Sequence, residues 1–272
     1  MPVILTATDF SEIANNAVRY ACSLAKQQGL SVTVVHAFII RVTFTDTPMP
    51  MVPADEARKI AEDRMAVLQV QLKTEFEGLQ IAGKVLYGEL IDCLEEYIEE
   101  DTVPWLVVLG NTKPEDHLLW MASTILSAVK NLQCPVMAVP LEAKYRDVKQ
   151  LCLACDLEKV TDRFPSSQLD QIVAQTGAKL HVLNTGHAVK DNTIMESEEL
   201  HSYLASMNPQ YHNIDATNTE DAIEQFVESN NIDWLIVTPH KHSFFETLFH
   251  KHHTETMARI SHIPLVALHE RE

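Results

Sequence analysis

The sequence predicts an α/β protein made of two tandem doubly wound domains, each a five-stranded parallel sheet of order 3-2-1-4-5 flanked by helices. Two observations lead there. Short runs rich in Val, Leu and Ile alternate with longer amphipathic stretches, the pattern of parallel strands joined by crossover helices. That pattern then occurs twice, with matching residues at fixed offsets. The length of 272 residues fits, since a domain takes about 100 to 200 and each half can enclose a core.

In the first half the strands are expected near residues 3–8, 32–38, 81–86, 104–110 and 135–140. They are apolar on both faces, as strands covered by helices on either side must be. The first helix is expected after Asp9-Phe10-Ser11-Glu12, where Asp9 or Ser11 can cap the exposed amides and Glu12 can complete a capping box. Its inward stripe of Ala14, Ala17, Ala21 and Ala25 is small, so the helix can lie close on the sheet. The segment from Ile39 to Pro53, which has no counterpart in the second half, carries Pro48, Pro50 and Pro53 with the apolar Met49 and Met51. It can be a surface loop, a lid over a crevice or a partner-binding arm.

The repeat is visible residue by residue. Val3-Ile4-Leu5-Thr6-Ala7-Thr8-Asp9 answers to Gln150-Leu151-Cys152-Leu153-Ala154-Cys155-Asp156, and the strand after Gly29 to the one after Gly177. Further on, Asp92 matches Asp221, Trp105-Leu106-Val107-Val108 matches Trp234-Leu235-Ile236-Val237, and Pro135 matches Pro264. Each half thus repeats the spacing from Asp to Trp to Pro. The boundary falls near Leu141 to Asp147, giving domains at 1–141 and 148–272. Trp105 and Trp234 enter the fourth strands at matching places and read as packing residues.

Composition removes several function classes. Lys plus Arg total 21 against 38 Asp plus Glu, a formal net charge of -17, and that field repels phosphate backbones and anionic lipid. General nucleic-acid binding is excluded on this basis. The longest stretch free of Asp, Glu, Lys and Arg, Leu200 to Ile214, is too short and polar for a membrane span. The N-terminus has neither a basic start nor an apolar signal core, so a cytoplasmic protein is expected. Five Cys, an odd number, point to reduced thiols. Gly is scarce, 7 residues, where a usual share of ~7% would give about 19, so glycine-lined phosphate cradles must be few.

In open α/β sheets ligands bind beyond the carboxyl ends of strands, where strand order reverses. For the order 3-2-1-4-5 that point lies between strands one and four. The residues at those ends are Asp9 and Gly110 in the first half, Asp156 and Thr238 in the second.

Thr8-Asp9-Phe10-Ser11 after strand one, Val35-His36-Ala37 at strand two, Leu106-Val107-Val108-Leu109-Gly110 at strand four and Cys134-Pro135-Val136 opening strand five resemble the universal stress protein family. The resemblance extends over the whole chain, once per half, and is carried by the order and spacing of motifs that are individually weak. It implies a small α/β sandwich, often paired through strand five, so the two halves can pair with each other or the chain can form a homodimer. It also implies action by binding, with many members taking ATP or another adenine nucleotide and enzymatic turnover seldom their established role. The nucleotide-binding pattern is G-x2-G-x9-G-[S/T] after strand four. There the glycines let backbone amides approach the phosphates, and the hydroxyl residue opens a helix whose N-terminus favours anions.

Laid against that pattern, Gly110 matches the first Gly, Lys113 stands at the second, Ser123 at the third, and Thr124 fits the hydroxyl position. Lys113 can supply a phosphate-directed charge, whereas Glu115 and Asp116 in the same loop oppose a triphosphate. Asp9 matches the family's nucleoside-contacting acid, with a helix cap as its alternative role, and Ala37 sits where backbone would meet adenine. ATP or AMP in the first domain, held by Asp9, Ala37, Gly110, Lys113, Ser123 and Thr124, is the resulting expectation. In the second half Pro239, His242, His252 and His253 occupy the four motif positions, and Pro239 lacks an amide donor. No nucleotide is expected there.

Two other constellations carry chemistry. His240, His242, His250, His252 and His253 crowd one segment, and imidazoles ligate zinc, nickel or copper. A site needs about four converging donors; Lys241, Lys251 and the lack of local Cys favour instead a solvated loop whose charge changes with pH. Cys152-Leu153-Ala154-Cys155 has redox spacing but falls inside a strand, where residues three apart point to opposite faces. Buried structural thiols are expected. No Ser-His-Asp order, carboxylate pair or nucleophile elbow occurs, so no catalytic residue is assigned. The function expected is stress adaptation through binding of an adenine nucleotide and of a protein partner; the alternatives are an ATP-binding protein with slow hydrolysis or autophosphorylation, and a metal-responsive module of the late His cluster.

Overall fold

The computed structural model describes residues 2–40, 42–43, 49–50, 53–100, 103–111, 118–155, 162–184, 198–213, 219–238 and 263–269. The chain packs as two compact units, Met1–Gly110 and Asn111–Glu272.

The first unit is a parallel sheet. Its strands are β1 (Val3–Ala7), β2 (Ser31–Phe38), β5 (Ile81–Tyr87) and β6 (Leu106–Asn111, ending across the boundary), within one or two residues of the expected positions. The order is β5-β2-β1-β6, the 3-2-1-4 part of the predicted arrangement. Thr6 donates its hydroxyl to the Val108 carbonyl at 2.8 Å and so fixes β1 on β6 from within the core. Helices α1 (Glu12–Gln28), α2 (Ala54–Glu75) and α3 (Leu90–Glu100) connect the strands. On α1, Ala17, Ala21 and Ala25 are fully buried against the sheet, as the small-residue stripe predicts; Ala14 is half-buried. Gly29 ends the helix in the left-handed conformation, with its N–H on the Ala25 carbonyl, a position that favours glycine. Arg19 of α1 meets Glu75 of α2 at 2.9 Å.

The start of α1 differs from expectation in one respect. Ser11 is the N-cap, its hydroxyl accepting from the Ala14 amide, and Asp9 instead accepts from the Ser11 amide one turn earlier. Glu12 is therefore the first helical residue, two positions short of where a capping box needs it, and no box forms. The segment expected as a loop at 39–53 contains a small antiparallel pair, β3 (Val42–Thr43) with β4 (Met49–Pro50), and Pro53 precedes α2; the rest of it lies outside the described residues.

The second unit begins with α4 (Leu118–Asn131) and β7 (Val136–Pro140). It continues with β8 (Gln150–Cys155), α5 (Ser166–Thr176), β9 (Lys179–Asn184), α6 (Glu198–Leu204), β10 (Gln210–Asn213), α7 (Thr219–Ser229), β11 (Trp234–Val237) and β12 (Leu265–Ala267). Strands β10-β9-β8-β11-β12 run parallel in the order 3-2-1-4-5. Beyond β12 the sheet adds β7, antiparallel, with Leu265 opposite Ala138. By sequence β7 and β12 are the fifth strands of the two repeats.

The segment 146–150, which leads into β8, is pinned by one carboxylate. Asp233, 8% exposed, accepts from the amides of Lys149 and Gln150 at 2.7 and 2.9 Å and pairs with Arg146 at 2.6 Å. Cys152 and Cys155 are buried and unbridged within β8, and Trp105 and Trp234 are both buried, as expected of packing residues.

Candidate functional site

The carboxyl edge of the first unit is organised by the turn that links β1 to α1. Phe10 has φ +66°, the left-handed region that non-glycine residues seldom use, at a cost of about 1–3 kcal/mol. Side chains hold it there. The buried Thr8 hydroxyl accepts from the Phe10 amide at 2.8 Å and donates to Asn15 Oδ1 at 3.1 Å, while Asn15 Nδ2 donates to the Phe10 carbonyl at 3.2 Å. Asp9 Oδ1 takes the Ser11 amide at 2.8 Å. The exposed Asp9 thus has a second oxygen with no hydrogen bond among the described residues.

His36 on β2 donates Nδ1–H to the Thr8 carbonyl at 2.7 Å, since a carbonyl can only accept. Its ring lies 4.4 Å from the Phe10 ring, and the Arg64 guanidinium of α2 lies 4.3 Å over the same Phe10 ring. Beside this stack a cleft of about 340 Å³ opens between α1 and α2, lined by Phe10, Asn15, Asp63, Arg64, Val67, Leu68 and Gln71.

Ala37 lies past the register of β1, whose last pair is Ala7 with Val35, so β1 does not cover the Ala37 backbone. Gly110, near the end of β6, has a packing reason of its own. A Cβ there would stand 2.9 Å from both Cγ2 and the carbonyl oxygen of Ile13 in the first turn of α1. Asp9, Ala37 and Gly110 therefore share the carboxyl edge of three adjacent strands, with β1 in the middle.

The sequence profile described as the Universal stress protein family matches residues 1–140. The chain belongs to the universal stress protein family. Among solved structures, a universal stress protein from Archaeoglobus fulgidus is similar over 98% of this chain and 98% of its own, with a TM-score of 0.70 at 14% identity. A functionally unknown protein from Pseudomonas aeruginosa is similar over 99% of this chain and 93% of its own, with a TM-score of 0.55 at 11% identity. A universal stress protein in complex with cAMP aligns with 51% of this chain and 96% of its own, at 18% identity and a TM-score of 0.38. No curated protein matches the chain.

For a universal stress protein, the six expected nucleotide residues are unevenly placed. Asp9, Ala37 and Gly110 meet on one edge of the first unit. Thr124 is half-buried on α4 in the second unit, Ser123 is on the same helix with its side chain outside the described residues, and Lys113 lies outside them entirely. In the second unit Thr238 is buried at the end of β11; Asp156 and the segment with Pro239, His242, His252 and His253, and with it the late His cluster, lie outside the described residues.

Sequence reasoning missed Asn15 and Arg64 as parts of this edge. Nothing short of the fold brings Arg64 onto Phe10, 54 residues earlier in the chain, although a polar Asn on the inner side of an alanine-rich helix start was a visible signal. No described helix is long and apolar enough to cross a membrane. The thiols are chemically quiet, since burial pushes Cys22 and Cys134 up to about 12 and raises Cys152 further.

Proposed function

We propose that this chain acts by binding in stress adaptation, as two tandem universal stress protein repeats at 1–141 and 148–272, with ATP or AMP held at the carboxyl edge of the first. The observation that carries the reading is the convergence of Asp9, Ala37 and Gly110 on that edge around a side-chain-locked turn. A carboxylate oxygen without a partner accepts from ribose hydroxyls, and strand backbone beyond the β1 ladder is open to an adenine edge. Gly110 keeps the first glycine of the motif, although the space at its Cα is taken by Ile13 of α1, and Thr124 keeps the motif's hydroxyl position by sequence. Lys113 and Ser123 replace two motif glycines, so phosphate contact is weaker than a full glycine cradle gives. In the second repeat Pro239 and three His stand at the motif positions, and that repeat serves the fold and the pairing of fifth strands represented by β7 on β12.

In this role the chain acts in the cytoplasm without turnover, and a protein partner is its downstream target. Isothermal titration of ATP and AMP into the full chain tests the pocket. Binding at one site that weakens in both Asp9→Ala and Thr124→Ala supports it, and unchanged affinity in both variants contradicts it.

A further inference from the structure

The second unit contains a histidine pair that the nucleotide reading does not use. His181 on β9 and His212 on β10 point to the same face of the sheet, and His181 Nδ1 lies 3.0 Å from His212 Nε2. On its other side His181 Nε2 lies 2.9 Å from Gln150 Oε1 of β8. The ring centroids are 5.2 Å apart with planes 28° from parallel, and Phe226 of α7 covers both, edge-on to His181 at 5.8 Å and tilted on His212 at 4.7 Å. His181 is 6% exposed. By strand register, Thr33 of β2 and Lys84 of β5 occupy these places in the first repeat, so the pair is particular to the second.

The geometry fixes the protons. Gln150 Oε1 can only accept, so His181 carries its proton on Nε2, and its bare Nδ1 accepts from His212 Nε2–H. One added proton can sit on His212 Nδ1 without breaking this chain. A second sets N–H against N–H at 3.0 Å, with two cations under a Phe ring.

We propose that the His181–His212 pair is an acid-operated latch, and that its protonation releases α7 from β9 and β10 while the first unit stays closed. Of the charged groups around the pair, Lys179 of β9 disfavours an added proton and Gln150 of β8 is neutral, while Glu224 and Glu228 of α7, which favour an imidazolium, are outweighed by burial at both rings. Burial holds His181 below its ordinary range, with repulsion from His212 and then Lys179 adding to it, and burial lowers His212 too. The opened state therefore binds more protons than the closed one. The latch is fully effective above the opened-state pKa of about 6.5 and is lost as pH falls below it.

Hydrogen exchange of the full chain at pH 7.5 and 5.5, each referred to the intrinsic exchange rate at that pH, tests the latch. For two imidazoles that are kept neutral when closed, opening of β10 and α7 increases by up to about a hundredfold between these pH values, and by about tenfold if one proton is admitted to the closed state. Strands β1 and β2 of the first unit are the internal control and do not follow. His181→Gln, which keeps a polar group but does not titrate, and His212→Phe, which substitutes an apolar ring, each reduce the acid response. Equal protection of β10 and α7 at both pH values overturns the proposal, as does an undiminished acid response in both variants. The readout needs no nucleotide, so its failure is separate from failure of the binding site.

Discussion

His36 Nδ1 lies 2.7 Å from the carbonyl oxygen of Thr8, so an imidazole on the second strand anchors the turn that presents Asp9. Replacing it by Leu removes the donor and leaves the Thr8 carbonyl with one partner fewer in a half-buried site. His36→Leu is expected to cost about 1 kcal/mol in urea unfolding. A loss indistinguishable from zero would show that the turn is held by Thr8 and Asn15 alone.

Gly110 and Gly83 make a paired test of close approach. A Cβ at Gly110 meets the backbone oxygen of Ile13 at 2.9 Å, and that atom belongs to a helix turn that cannot move alone. At Gly83 the nearest atoms, at 2.6 and 2.9 Å, belong to the flexible Gln69 and Met65 side chains. Gly110→Ala is expected to destabilise by about 1–3 kcal/mol, and Gly83→Ala by less, in thermal melts of the two variants. The reverse ranking would mean that α1 shifts more easily than side chains on α2.

The clasp at Asp233 separates hydrogen bonding from ion pairing. Its carboxylate serves two backbone amides in a site 8% exposed, whereas the Arg146 side chain is 60% exposed. Asp233→Ala is expected to cost about 2–3 kcal/mol, because two amides lose a charged acceptor. Arg146→Ala should cost at most about 1 kcal/mol, the range of solvent-screened pairs. Denaturant titration of both variants checks the ratio; equal losses would put the weight on the guanidinium.

All five thiols are buried. For Cys22 and Cys134, raised to about 12 by burial, the thiolate at pH 8 is on the order of one part in ten thousand. Cys93 is raised too, by burial first and then by Glu96, Asp92 and Glu89. Ellman's reagent at pH 8 should label none of the five rapidly in the folded chain and all five in guanidinium. Rapid labelling of the folded protein would identify an open thiol where none is drawn.

The strand sequence and family were legible because they rest on local patterns. Val3–Ala7, Ser31–Phe38 and Leu106–Asn111 are apolar runs with punctuation at both ends, and buried parallel strands need little else. The strand order belongs to the predicted fold class and is written in no local pattern; the full 3-2-1-4-5 arrangement is seen in the second unit. The cap of α1 was legible only to within two candidates, because Asp9 and Ser11 both suit an N-cap and the choice turned on where Phe10 enters the left-handed region. Contacts that close over long sequence distances were not legible. Arg64 reaches Phe10, Asp233 reaches the Lys149 amide 84 residues away, and His212 reaches His181 from the adjacent strand. In the sequence a lone His on a strand reads as packing, and only the register of β9 against β10 shows that two of them meet.

The most direct test of nucleotide binding is native mass spectrometry of the untagged full chain as purified, followed by titration with ATP and AMP. One adenine nucleotide per chain, carried over or titrated in and lost in Asp9→Asn, which keeps an acceptor for the Ser11 amide, is the expected result. A chain that arrives empty and takes up neither nucleotide would contradict a pocket at Asp9, Ala37 and Gly110.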